Sequence, residues 1–376
     1  MNNRERVKAV MQYEPYDRMP VVHFGYWDEL LEKWAAEGYL KESDIEGVAD
    51  GNAQEQAVSK KLGFDFNWMT IASDKTTPLS SIYPQFERRV LGELPDGRVK
   101  AVNEYGVIQI EKPGITSIPI EADHLLKDRR SWEEYIKPRL LFSQDRIDWE
   151  YLQAEAERDA ERQDPLGVFC GSLFGEIRNL MGLEGVSCLY VDDPELYDEI
   201  IETVGELQFQ VTKALLSTGI TFDFAHFWED ICCRNGPLIS PRVFEEKVGP
   251  RYKRITDLLH EHGITIVSVD CDGYIDFLIP GWIHNGVNTM FPIEVGTWEA
   301  SIEPWRQTYG KELRGVGGMN KHVFEEDYRA VDKEIERLKP LVELGGFIPC
   351  PDHRIPISAR WENIQYYCDR MRETFS

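Results

Sequence analysis

Two textures alternate along the chain. Short runs of β-branched and aromatic residues give way to longer stretches whose apolar positions fall at helical spacing. The runs at 21–23, 65–71, 167–170, 221–227, 264–269, 286–290, 313–316 and 346–349 predict strands. Helices are expected at 27–37, 51–62, 194–216, 243–262, 298–309, 323–344 and 361–374, behind an amphipathic start at 7–13. Eight strand–helix units predict an α/β fold: a single (β/α)₈ TIM barrel over residues 1–376, with its chemistry at the C-terminal ends of the strands. A doubly wound sheet is the alternative architecture, but no Gly-x-Gly-x-x-Gly follows the first strand.

One stretch organises the rest. Ile264-Thr-Ile-Val-Ser-Val is a strand apolar enough to be buried on both faces, and it stops abruptly at Asp270-Cys-Asp-Gly273. Between 86 and 110 the βα rhythm breaks. Two β-rich runs flank Pro95-Asp-Gly97, the signature of a hairpin or meander, so about residues 80–130 are expected to form an insertion. Ser131-Trp-Glu-Glu134 reads as a capping box, Asp193-Pro194 and Ser240-Pro241 as helix starts, and 148–161 as a charged surface helix.

Net charge is −24, which argues against nucleic acid and anionic membranes as partners. No apolar run is long enough to cross a bilayer. The polar start and seven cysteines without a framework lead us to expect a cytoplasmic protein.

Chemistry-bearing residues gather at the expected strand ends. They are His23 with Asp65 nearby, His226 with Trp228, Glu229 and Asp230, then Asp270, Asp272 and Glu294. Asn320 and Lys321 follow the pair Gly317-Gly318, and Cys350, Asp352 and His353 follow the last strand. So many carboxyls and imidazoles on one rim would shift one another's protonation unless they share a cation or a substrate. Histidine with carboxylates suits zinc, but no His-Glu-x-x-His is present, and a metal-free acid–base site is the alternative.

Several motifs resemble the uroporphyrinogen decarboxylase superfamily. They are Met181-Gly-Leu-Glu-Gly, Asp193-Pro-Glu-Leu, Trp228-Glu-Asp, Asn235-Gly-Pro-Leu-Ile-Ser-Pro241, Pro250-Arg-Tyr-Lys, Asp270-x-Asp272-Gly, Gly286-Val-Asn288 through Pro292-Ile-Glu294, and Gly345-Gly-Phe-Ile-Pro-Cys-Pro-Asp-His353. The match covers residues 165–376 well and the rest loosely. The resemblance implies a (β/α)₈ barrel and one of two activities, porphyrinogen decarboxylation or zinc-assisted methyl transfer involving a corrinoid protein.

The decarboxylases carry an Arg-rich segment after the first strand, where this chain has His23-Phe-Gly-Tyr-Trp-Asp-Glu-Leu-Leu-Glu-Lys. Without guanidinium clamps a polyanion has little to hold it. The coenzyme-M methyltransferases resemble the chain better, but Asp270 and Asp272 stand where they have His and Cys. A harder donor set suits oxygen or nitrogen rather than a thiol.

The resemblance therefore implies a methyltransferase moving a methyl group from a small O- or N-methyl donor to a corrinoid carried by a partner protein. Asp270, Glu294 and His353 would hold zinc or act as proton donor and orienter. Asp270, Glu229, His226 and His353 are the catalytic candidates, and His23, Trp228, Asp230, Asp272 and Asn320 the substrate-binding ones. A decarboxylase or lyase of a small carboxylic acid and a non-catalytic methyltransferase subunit are the competing readings. A homodimer is a superfamily-level expectation.

Overall fold

The computed structural model describes residues 1–76, 79–112 and 120–376. Its strands, in chain order, are β1 (Val22–His23), β2 (Phe66–Asn67), β3 (Ile71–Ala72), β4 (Arg89–Glu93), β5 (Val99–Val102), β6 (Val107–Glu111), β7 (Ile120–His124), β8 (Gly167–Phe169), β9 (Phe224–Trp228), β10 (Cys232–Cys233), β11 (Gly236–Pro237), β12 (Val267–Asp270), β13 (Thr289–Ile293), β14 (Arg314–Met319) and β15 (Phe347–Pro351). The architecture is α/β around a central parallel sheet ordered β15-β14-β13-β12-β9-β8-β3. β1 and β2 form a separate parallel pair, and a parallel bridge joins Tyr26 to Ile355, just beyond β1 and β15.

Every residue of β8, β12, β13 and β15 is buried. That is why these strands read as unbroken apolar runs. Helices cover a parallel sheet on its outer face, so neither face needs polar positions. β4–β7 form a separate antiparallel sheet, with the turn at Pro95-Asp-Gly97 where the sequence places it. Part of the expected insertion, 113–119, lies outside the described residues.

Several boundaries differ from expectation, each for a local reason. The run at 65–71 is two strands, β2 pairing β1 and β3 pairing β8. Asn67 breaks it: its side-chain oxygen accepts from Met69 N–H at 2.9 Å, and its carbonyl from Thr70 N–H at 3.1 Å. The helix near 131 starts earlier. Asp128, not Ser131, is the N-cap, accepting from Ser131 N–H at 2.8 Å.

The stretch at 298–309 splits into Val295–Trp298 and Ile302–Tyr309, the latter capped by Ser301. The one at 323–344 becomes a 3₁₀ turn, Lys321–Glu325, and a helix, Tyr328–Glu343, capped by Asp327. Strands β13 and β14 each run three residues past their expected ends, which brings Glu294 directly to the tip of β13.

Candidate active site

Register builds the site. Asp270 pairs with Trp228 on β9 and with Phe291 on β13, so these three share a level and a face at the strand tips. Ser268 and His226 form the level below. Asp270 is 4% exposed, and among the described residues none donates a hydrogen bond to its carboxyl. Burial pushes its pKa well above the ordinary carboxylate range; Asp272, Asp230 and Glu294 push the same way, and Arg354 opposes them.

Four other expected residues surround it. Asp272 places Oδ2 3.5 Å from His353 Nε2, while its Oδ1 is buried with no partner among the described residues. The His353 ring stacks on Trp27, centroids 5.8 Å apart and nearly parallel, and tilts against Phe24 at 5.2 Å. Glu294 accepts the Gly273 N–H and, at 2.8 Å, the Thr297 hydroxyl. Burial raises its pKa and Asp272 adds to the push. Asp230, at φ +47°, lies 3.5 Å from Arg178 and is likewise raised, chiefly by burial. Asp230, Asp270, Asp272, Glu294 and His353 thus form one electrostatic cluster, and Trp228 flanks it.

Other candidates go elsewhere. Glu229 donates its backbone N–H to Asp270 O at 2.8 Å, but its carboxyl leaves the cluster. It accepts from Leu173 N–H at 2.8 Å, Gly175 N–H at 2.6 Å, Ser172 Oγ at 3.3 Å and the Tyr252 hydroxyl. Gly175 is required here, because a Cβ would sit 2.2 Å from Glu229 O.

His23 is sealed, Nδ1 accepting from Gly25 N–H at 3.0 Å and Nε2 bonding Ser59 Oγ at 2.9 Å. His226 is also fully buried. Ser268 Oγ donates to Ala225 O at 3.1 Å, so it accepts from His226 Nδ1–H at 2.7 Å, which leaves Nε2 unprotonated and unmet. Burial pulls both imidazoles down to about 3.

Asn320 is a cap, its side chain accepting from His322 N–H at 3.0 Å. Asp65 is held by Arg18 and Arg372. Asp352 accepts from Gly296 N–H at 2.7 Å, and the Cys350 thiol is pushed far up by burial.

The sequence reading missed Arg354, although it directly follows His353. Its guanidinium donates to Tyr26 O at 3.0 Å and pairs with Asp50. It also lines a cavity of about 600 Å³ with Tyr26, Trp27, Asp28, Asp50 and Glu55. Burial pushes Glu55 up to about 7. Zinc does not fit the side chains as they stand: among the described residues no three His, Cys, Asp or Glu groups meet at metal-ligand spacing.

No protein-family model matches the chain, and no curated protein matches it. Among solved structures it is similar to a methyltransferase from Methanosarcina mazei, with a TM-score of 0.61 at 12% identity over 99% of each chain. A B12-independent methionine synthase from a Shewanella species gives a TM-score of 0.46 at 10% identity, covering 95% of this chain and 98% of that one. A putative vitamin-B12-independent methionine synthase from Listeria monocytogenes gives 0.43 at 12%, covering 96% and 98%. At 12% identity the likeness to the Methanosarcina enzyme is one of fold, an α/β architecture around a central parallel sheet.

Proposed function

We propose that this protein transfers a methyl group from a small O- or N-methyl donor to the Co(I) corrinoid of a partner protein. In this reading the setting is a closed barrel, in which the β1–β2 pair fills the gap between β15 and β3 and the described part of the 80–130 insertion lies outside. The observation that carries the reading is Asp270: a buried strand-tip carboxyl with a raised pKa and no hydrogen-bond donor among the described residues.

A methyl group on oxygen or nitrogen leaves badly because the departing group is a strong base. In the proposed step the methyl–heteroatom bond breaks, its electron pair stays on the heteroatom, and cobalt supplies the pair that forms the new carbon–cobalt bond. An ether oxygen takes the Asp270 proton as it leaves. His353, between Phe24 and Trp27, orients Asp272 beside it. The fold shared with a methyltransferase supports the reading.

The test is to mix the protein with Co(I) cobalamin and a panel of methyl ethers and methylamines, following the loss of the Co(I) spectrum. Transfer from at least one donor is expected. No transfer from any donor, with the protein folded, overturns the proposal.

A further inference from the structure

The strand-tip cluster carries more negative groups than its surroundings can neutralise. Asp230 has Arg178 at 3.5 Å, and Asp272 has His353 at 3.5 Å. Asp270 is 4% exposed and has no hydrogen-bond donor among the described residues, where Glu294 accepts from a neutral N–H and a hydroxyl. The nearest further cation, Arg354, is committed to Asp50 through two hydrogen bonds.

The adjoining cavity has the same character. Asp28, Asp50 and Glu55 line it against Arg354, and Tyr26 and Trp27 supply aromatic wall. The cavity and the cluster meet where Trp27 stacks on His353. A group that is positive, compact and clad in methyls suits both surfaces, since it is attracted by carboxylates and by the faces of aromatic rings. An anion or a phenolate would meet repulsion from the carboxyls of both, and the guanidiniums there, Arg178 and Arg354, already face Asp230 and Asp50.

We infer that the methyl donor is a methylated ammonium ion, held with its charge at Asp270 and its alkyl body against Trp27. This rests on the proposed methyl transfer and narrows it. When such an ion reacts, the N–CH₃ bond breaks, the pair returns to nitrogen to give a neutral amine, and the methyl joins Co(I) through the cobalt's own pair. No proton is needed. The carboxyls hold the positive substrate in place rather than protonating it.

Calorimetry on the full chain, without corrinoid, tests the inference. The probes are choline and its neutral carbon isostere 3,3-dimethylbutan-1-ol, with zinc chloride titrated alone for comparison. Choline should bind at least about tenfold more tightly than the isostere. In an Asp270→Asn/Asp272→Asn variant with unchanged circular dichroism, that preference should shrink towards unity. Equal affinity for the two probes, binding of neither, or saturable binding of zinc that choline does not displace would overturn the inference.

A separate assay with Co(I) cobalamin keeps the two ideas apart. Selective choline binding with no transfer from any donor would sink the reaction and leave the cation site. Transfer from an ether but from no ammonium donor would sink the cation site and leave the reaction.

Discussion

Replacing Glu229 by Ala should damage the fold before it damages any chemistry. Its carboxyl is fully buried and is the acceptor for two backbone N–H groups, the Ser172 hydroxyl and the Tyr252 hydroxyl. Burial pushes its pKa up, and these donors work against that push. The alanine variant strands Leu173 N–H, Gly175 N–H and the Tyr252 hydroxyl away from water. A stranded buried donor costs about 1–3 kcal/mol. Three of them give a loss of roughly 3 kcal/mol or more, a large part of the about 5–15 kcal/mol that holds an ordinary domain together.

Glu229→Gln should help little, since its amide can accept at one oxygen only and turns its NH₂ towards donors. Urea unfolding followed by circular dichroism measures the loss, with the variant's residual methyl transfer assayed on whatever remains folded. If Glu229→Ala lost under about 1 kcal/mol yet abolished transfer, this carboxyl would act in the chemistry and the structural argument would be wrong.

Three further outcomes are expected. Asp270→Ala should cut methyl transfer at least about a hundredfold with little change in the urea midpoint, because no described residue bonds that carboxyl; normal transfer would remove Asp270 from the mechanism. Arg354→Met removes the charge that opposes the raised pKa of Asp270, and should lower kcat/KM about tenfold with circular dichroism unchanged; an unaltered kcat/KM would show that Arg354 only closes the cavity wall.

The third concerns pH. His23 and His226, pulled from 6.5 to about 3, bind protons more readily when unfolded, so the stability they give is full above pH 6.5 and is lost as pH falls through that window. Glu55 and Glu176, raised from 4.5 to about 7, act the opposite way between those values, and their stability is lost as pH rises. These four contributions cancel between about pH 6.5 and 4.5. The raised pKa of Glu229, Asp230, Asp270 and Glu294 adds stability as pH falls. Urea midpoints should therefore hold or rise from about pH 6.5 to 4.5, whereas a steady decline from pH 6.5 would contradict the burial of the carboxyls.

The strands were legible because a parallel sheet covered by helices demands apolar residues on both faces, and the runs at β8, β9, β12 and β15 supply them. Their edges were not, since β14 continues past Val316 through Gly317 and Gly318, residues that carry no side-chain signal for a strand. Asp270, Asp272, Glu294 and His353 were legible from their place after buried runs. Glu229 and His23 carry that same local signal yet turn into packing. Arg354 adjoins His353, but its place is set by Asp50, 304 residues away in the chain, and no local pattern announces such a pairing.

Asp270 and Glu229 show what separates the carboxyl proposed to work from a structural one. Both are buried, both stand at the tips of neighbouring strands, and a backbone hydrogen bond of 2.8 Å links their residues. Burial raises the pKa of each. The difference lies in the donors. Glu229 has its needs met by the chain itself, so a ligand would gain nothing by approaching it. Asp270 has none met by described residues, and its neighbours Asp230, Asp272 and Glu294 make its charge costlier still. A fold that sets an unmet carboxyl among like charges sacrifices stability there, because the group must stay protonated or wait for a cation. Binding a positive substrate, or giving a proton to a leaving oxygen, are the two events that relieve it, and in the proposed reaction both belong to the departure of a methyl group.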